Sequence, residues 1–391
     1  MAGNKVVVRT RRADFVPLRR ARTAVTVLFA LGGFVFAGWA VRIPSVAHRV
    51  HAAPGELGLA LSAMAVAAVA TMSAGGVICR RWGAARAAAT AAGMLSATVV
   101  LPALATSVPQ LAVALTVFGV AFGALDVAVN TVAVDLVAAL NRPLMPALHA
   151  ANSLGSLSGA GVGGALAAHL SPAGHLLSVA PLGVVAAAAA GWALTADPIP
   201  RAQSCAGPAA AGHSGWIVVM FGVVGLCAAF AQGGLDNWAP LHLRADLGVS
   251  DGLAAAGYAT VQGAMAVGRL TGSALVTRIG PADVLLVGGV TACAGTTLVA
   301  STSWPSLALA GLGLAGLGLA NLFPLAVGAA GARGGASGVA VATTLGYGGI
   351  LLAPPTIGFA AEVAGLPRAL LMVPVVVAAA TAVGRALRRH M

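Results

Sequence analysis

The chain has 391 residues, 59% of them hydrophobic and only 8% charged, with a mean hydropathy of +0.94. A soluble domain carries about a quarter charged residues, so a soluble enzyme or soluble binding module is excluded and a polytopic membrane protein is indicated. The formal net charge of +12 raises nucleic-acid binding as an alternative, and the placement of the basic residues decides against it.

Lys5, Arg9, Arg11, Arg12, Arg19, Arg20 and Arg22 precede the first apolar run. Alternate connections add Arg80, Arg81, Arg86, Arg142, Arg201, Arg278, Arg333, Arg385, Arg388 and Arg389 to the same side. The opposite connections hold only Arg42, Arg49, Arg244 and Arg368. This asymmetry places both termini on the cytoplasmic side of a membrane, because basic loops stay on that side.

A span needs about 20 mostly apolar residues. The apolar runs predict about twelve, near 23–41, 56–78, 87–106, 109–133, 147–169, 175–196, 215–236, 253–276, 283–302, 305–328, 337–360 and 368–387. The polar, Pro- and Gly-rich stretch 197–213 reads as a cytoplasmic linker. The expected organisation is a basic tail (1–22), a six-helix half (23–196), the linker, and a second six-helix half (214–391), all-α throughout.

The first span presents Phe36 and Trp39 on one face and ends before Arg42, which is expected to anchor at the interface. The fourth span holds the most informative stretch, Phe118 to Asp135. At about 100° per residue, Gly119, Gly123, Asp126 and Asn130 share a narrow face. A carboxylate at membrane depth costs roughly 2.5–3.5 kcal/mol, so it faces a bundle interior or a wet cavity. There the charged form is disfavoured, which suits a group that loads and releases a proton. A structural carboxylate satisfied by hydroxyls or an arginine is the alternative for Asp126. Asp135, nine residues on, is expected in a surface or loop role.

His149 opens the fifth span as a candidate proton relay or a plain terminus residue. The seventh span carries the polar stripe Gly225, Ala229, Gln232 and Asp236, with Asp236 near the outer helix end, where a solvated terminus and a substrate contact both stay open. In the eighth, Arg269 lies nine residues before Arg278, roughly 13 Å deep by helical rise. It either snorkels to the interface or pairs with Asp126 across the halves, directly or through water, in one state of the cycle and not in another. The tenth offers Asn321, and Pro354-Pro355 with nearby glycines is expected to bend the eleventh. Cys79, Cys205, Cys227 and Cys293 are scattered without metal spacing, so no disulfide framework, metal or cofactor is indicated.

The halves repeat in the same direction. Trp39-Ala40 matches Trp238-Ala239, Arg81-Trp82-Gly83 matches Arg278-Ile279-Gly280, and Gly123-Ala-Leu-Asp126 matches Gly318-Leu-Ala-Asn321, at offsets of 199, 197 and 195 residues. Parallel six-helix halves with a site between them form a known transporter architecture.

These residues resemble the Major Facilitator Superfamily from the first span to the twelfth. That family's loop between helices 2 and 3 reads G-x-x-x-D-R-x-G. Here it is Gly76-Val-Ile-Cys-Arg80-Arg81-Trp82-Gly83, with Arg80 in place of the acid, and the second copy ends Thr277-Arg278-Ile279-Gly280. The resemblance implies gating or interdomain roles for Arg81, Gly83, Arg278 and Gly280, beside Arg269 and His149. Gly155 to Gly164 resembles the antiporter motif G-P-x-x-G-G with Ala160 replacing proline, and glycines so spaced also let helices approach closely.

Asp126-Val-Ala-Val-Asn130 resembles the acid-x-x-x-Asn element of fucose-type sugar:proton symporters. The segment around Gln232, Asp236 and Asn237 is similar to a poorly characterised branch near them, which has Glu at Gln232 and Asp at Asn237. The implied function is a secondary transporter for a small organic solute, coupled to protons through Asp126. Its expected cavity is lined by Phe36, Trp39, Asn130, Gln232, Asp236 and Asn321. Uptake and efflux of drugs or secondary metabolites both stay open. The expected partners are the solute, protons and the lipid bilayer, with no nucleic acid, in a monomer. No Walker sequence and no H-E-x-x-H or serine, histidine and acid cluster is present, which argues against an ATP motor or an enzyme. The short loops argue against a receptor.

Overall fold

The computed structural model describes residues 15–140, 144–196, 199 and 215–390. The basic residues before Phe15, Arg142, and the 197–213 linker apart from Ile199, with Arg201 and Cys205, lie outside the described residues.

The described chain is helical, without strands. The first helix, α1 (Phe15–Ala40), takes up Arg19, Arg20 and Arg22 from the expected tail and gives way after two residues to α2 (Ile43–Arg49). Then follow α3 (Pro54–Trp82), α4 (Ala84–Thr98), α5 (Leu101–Leu104), α6 (Val108–Leu140), α7 (Met145–Ala167) and α8 (Pro172–Ala196). After the linker come α9 (Gly215–Ala245), α10 (Asp251–Ile279), α11 (Pro281–Ser301), α12 (Pro305–Leu319), α13 (Leu322–Ala364), α14 (Leu366–Leu370) and α15 (Met372–Ala386).

Proline and glycine punctuate these helices as their backbone chemistry dictates. Proline opens α3, α11 and α12, where the missing N–H has no helical partner to lose. Gly83, Gly280 and Gly365 end α3, α10 and α13 at φ of 84°, 85° and 83°, a conformation that costs other residues a Cβ clash.

Joined across their breaks, the helices make twelve crossings, and ten segments are long and apolar enough to cross a bilayer. The two outside that set are α7 and α10, the helices whose interiors carry Asn152, Ser156, Gln262 and Arg269. Four crossings run at least seven residues past their expected ends, one of them the fourth, which continues to Leu140. The first continues through α2 to Arg49. The seventh runs nine residues beyond Asp236, because Trp238 to Leu243 keeps the helix buried. The tenth is interrupted at Ala320 and Asn321, then runs to Gly335, where φ of 57° breaks the long α13.

Helices α1 and α7, α3 and α6, and α4 and α8 pack together, and the same pattern recurs as α9 with α13, α10 with α12, and α11 with α15. Two further contacts, α3 with α13 and α7 with α10, join the sets. Lipid tails are as apolar as leucine, so helices in a membrane associate mainly by close packing over small residues. Gly119 and Gly123 of α6 press on the Met64 and Ala68 carbonyls of α3, and Gly155 and Gly159 of α7 press on the Ala30 and Phe34 carbonyls of α1. Gly155 and Gly159 of the antiporter-like stretch are therefore packing positions, whereas Gly161 has open space around it.

One end of the bundle holds the start of α1, the Gly83 and Gly280 turns and the end of α15, and is called the tail end below. The far end holds α2 and the connections into α3 and α10.

Candidate functional site

A cavity of about 200 Å³ lies where α1, α3, α6 and α7 face α9, α10 and α13. Its floor is built by close approach: a side chain on Gly33 would collide with the Asn152 carbonyl and sit 2.7 Å from Ser156 Oγ, so glycine draws α7 onto α1. Phe36 and Phe122 tilt together with ring centroids 5.3 Å apart. With Met64, Met72 and Tyr258 they form the apolar wall.

The polar wall comes from α7, α9 and α10. Asp236 is buried, and its Oδ1 accepts a hydrogen bond from Gln262 Nε2 at 2.8 Å. Gln232 stands one turn back on α9 beside the same carboxylate. Arg269 reaches the cavity from α10 and donates from Nη1 to Ser153 Oγ at 3.0 Å, linking α10 to α7. Its charge and that of Asp236 attract each other. Asn152 donates to the Phe29 carbonyl at 3.1 Å and Asn237 to the Gly233 carbonyl at 2.7 Å, leaving their amide oxygens as acceptors. The site therefore offers one acid, one guanidinium, several carboxamides and aromatic faces, a combination that orients a small polar organic molecule.

Asp126 stands on α6 beside this cavity. Its Oδ2 accepts from the Tyr347 hydroxyl of α13 at 3.1 Å, and Tyr347 itself lines the cavity. Asn130 donates to the Asp126 carbonyl at 2.8 Å and to Oδ1 at 3.4 Å. Asn130 thus steadies the acid and stands outside the cavity lining.

Of the residues expected to line the cavity, Phe36, Gln232 and Asp236 do so. Asp236 is not at a solvated helix end, since α9 continues to Ala245 and Gln262 covers the carboxylate. Trp39 stands elsewhere: it is 1% exposed and packs into the apolar core. Asn321 caps the break before α13 and donates to the Gly268 carbonyl at 2.9 Å, fastening α10 to that break. In this conformation Arg269 points into the cavity and does not pair with Asp126: Ser153 accepts from its guanidinium and Tyr347 donates to the acid.

His149 is exposed and meets the Phe29 ring edge to face at 5.3 Å. Arg81 and Arg278 are exposed in the last turns of α3 and α10, beside the Gly83 and Gly280 turns. Arg42 is no interfacial anchor. It is 1% exposed, donating from Nε to His175 Nδ1 at 3.1 Å, because α1 and α2 form one crossing around it.

Tyr347, Tyr258, Asn152, Ser156 and Gln262 are site residues that the sequence reading missed. For the four on α7 and α10 the signal available was the low apolarity of those helices, which marks helices that turn polar residues away from lipid; Tyr347, on α13, had no such local signal.

The sequence profile of the Major Facilitator Superfamily matches residues 23–354. The chain belongs to the Major Facilitator Superfamily. It is 30% identical over 372 residues to an uncharacterized transporter of this superfamily from Yersinia pestis, covering 94% of this chain and 96% of that one. Among solved structures it shares its fold with a bacterial homologue of the human lysosomal transporter Spinster, in an inward-facing, unoccupied conformation (TM-score 0.76, 14% identity, covering 97% and 98%). It shares it too with the fucose:proton symporter of E. coli (TM-score 0.65, 18% identity, covering 96% and 99%). As a member of this superfamily the chain is a multi-pass membrane transporter and not an enzyme.

Proposed function

We propose that this superfamily member is a secondary transporter that carries a small polar organic solute by alternating access and couples the cycle to protons at Asp126. The observation that carries this reading is the hydrogen bond from Tyr347 to Asp126, because it ties an ionisable group on α6 to a cavity-lining residue on α13. A hydrogen bond to an ionised carboxylate is roughly twice as strong as one between neutral groups. Protonating Asp126 therefore weakens the tie between the two helices, and that is how a proton biases their relative position. The E. coli protein of the same fold, described as a fucose:proton symporter, supports coupling of this kind.

In this reading the moving bodies are the halves 23–196 and 214–391, connected by the 197–213 linker. The basic tail end lies in the bacterial cytoplasm, and the protein works as a monomer in the lipid bilayer. The far end is held shut by contacts between the halves. Ser45 Oγ donates to Asp251 Oδ2 at 3.3 Å and the Gly55 N–H donates to Glu362 Oε1 at 3.0 Å. Gly58 and Gly358 give close passage to the Pro354 and Pro54 carbonyls. Opening requires these contacts to break together.

The cavity volume of about 200 Å³ is below the range of about 300–1,000 Å³ usual for drug-sized ligands, so the solute is the size of a single sugar or amino acid. The opposed charges of Asp236 and Arg269 make the site neutral overall, which matches a neutral or doubly charged solute with no net charge. The test is a proteoliposome screen of sugars, amino acids, carboxylates and aromatic amines with an internal pH-sensitive dye. A solute-dependent pH change is expected with a net-neutral solute, and the sign of that change assigns symport or antiport. Solute movement with no proton movement would contradict the coupling.

A further inference from the structure

A second and larger cleft, about 730 Å³, opens at the tail end between the α3–α4 turn, α6 and the end of α8. It is lined by Arg80, Arg81 and Arg86 together with Asp135. All three arginines are exposed, and among the described residues none of them has a hydrogen-bond or ion-pair partner. Three guanidinium groups gathered around one cleft repel each other, and among the described lining residues Asp135 is the one acid that faces these three positive charges.

The duplicated turn in the second half shows that this charge is not demanded by the backbone. Gly83 and Gly280 have nearly the same conformation, φ 84° and ψ 135° against φ 85° and ψ 158°. Yet the residue three places after Gly83 is Arg86, whereas the one three places after Gly280 is Asp283, in the first turn of α11. Acid in a first turn complements the helix dipole and base opposes it. Likewise Arg80 stands where the second turn has neutral Thr277. The first copy therefore carries an arrangement that is unfavourable by itself and becomes favourable once an anion occupies the cleft. Trp82, 63% exposed beside it, marks this turn as facing the membrane interface.

We propose that this cleft binds a phosphate group, for which planar guanidinium donors are well matched. Basic pockets between helices at the cytoplasmic surface hold acidic lipid headgroups in this way. The same chemistry admits a phosphate free in solution, and the experiment separates the two sources. The site is distinct from the central cavity, so it does not depend on which solute is carried or on whether protons drive it.

The test uses the full-length protein in neutral detergent, titrated separately with short-chain phosphatidylglycerol, short-chain phosphatidylcholine and inorganic phosphate. Bound lipid is read by native mass spectrometry and phosphate by calorimetry. The expected result is that phosphatidylglycerol binds at least about tenfold more tightly than phosphatidylcholine, whose choline cation the arginines repel. Arg86→Asp, which installs the second copy's acid at an exposed position, is expected to remove that preference without lowering the melting temperature. Arg80→Lys with Arg81→Lys is expected to keep part of it. Saturable binding of inorganic phosphate that Arg86→Asp abolishes, without a preference for phosphatidylglycerol, also supports the site and assigns it to a soluble anion. Equal affinity for both lipids with no phosphate binding, or an anionic-lipid preference unchanged in Arg86→Asp, would overturn the proposal.

Discussion

Asp126 and Tyr347 are 221 residues apart in the chain and 3.1 Å apart in space, with the tyrosine hydroxyl donating to the carboxylate from α13 to α6. The contact lies beside a cavity whose other polar groups come from α7, α9 and α10. One carboxylate thus ties α6 to α13 and, through Tyr347, meets the cavity wall.

Removing the hydroxyl isolates the contribution of that contact. Tyr347→Phe keeps the ring and deletes one hydrogen bond, worth about 1.5 kcal/mol or more when the carboxylate is ionised. Gradient-driven accumulation is expected to slow about tenfold or more. Accumulation at the wild-type rate would mean that the hydroxyl takes no part in coupling.

The glycines of α7 offer a control inside one helix. Gly155 leaves no room for a side chain against the Ala30 carbonyl, whereas Gly161 has open space around it. Forcing a side chain into a filled contact costs about 1–3 kcal/mol. Gly155→Val is expected to lower the melting temperature by several degrees or prevent folding, and Gly161→Val to leave it unchanged. Equal effects at both positions would contradict the packing of α7 on α1.

At the far end, Asp251 accepts from Ser45 at 3.3 Å and from Arg244 Nε at 2.6 Å. Arg244 and Asp251 are 49% and 33% exposed, so solvent screens their pair and its worth is about 0.2–1 kcal/mol. That pair lies within the second half, and the bond of Asp251 that crosses between the halves, from Ser45, is long, so Asp251→Ala is expected to open the far end only modestly. A cysteine placed at Met64, in a background without native cysteines, should react with an impermeant maleimide from the far side up to about fivefold faster. No change in labelling would show that the Gly55 to Glu362 contact and the α3–α13 packing close that end by themselves.

The helices were legible because apolar runs, prolines and glycines act locally. Asp126 was legible for a similar reason: a carboxylate in an apolar helix is costly wherever the chain goes. Its partner was not, because nothing local to Tyr347 points across 221 residues to α6. Trp39 and Asn321 were read onto the cavity from helical faces and internal repetition. A face does not say which neighbour fills it, and these two meet the core and the Gly268 carbonyl instead. Asp236 was placed too near solvent because the sequence pattern ended α9 early, at the polar pair Asp236-Asn237. The packing of Trp238 and Leu243 carries that helix on.

The most direct test of the account is Asp126→Asn in proteoliposomes, with the solute identified by the dye screen. The amide keeps the shape of the side chain and removes its titration. Under an imposed pH gradient the variant is expected to show no accumulation above equilibrium, while exchange of labelled for unlabelled solute across the membrane continues, because exchange need not cycle the proton. Accumulation by Asp126→Asn to the wild-type level would contradict the claim that Asp126 couples transport to protons.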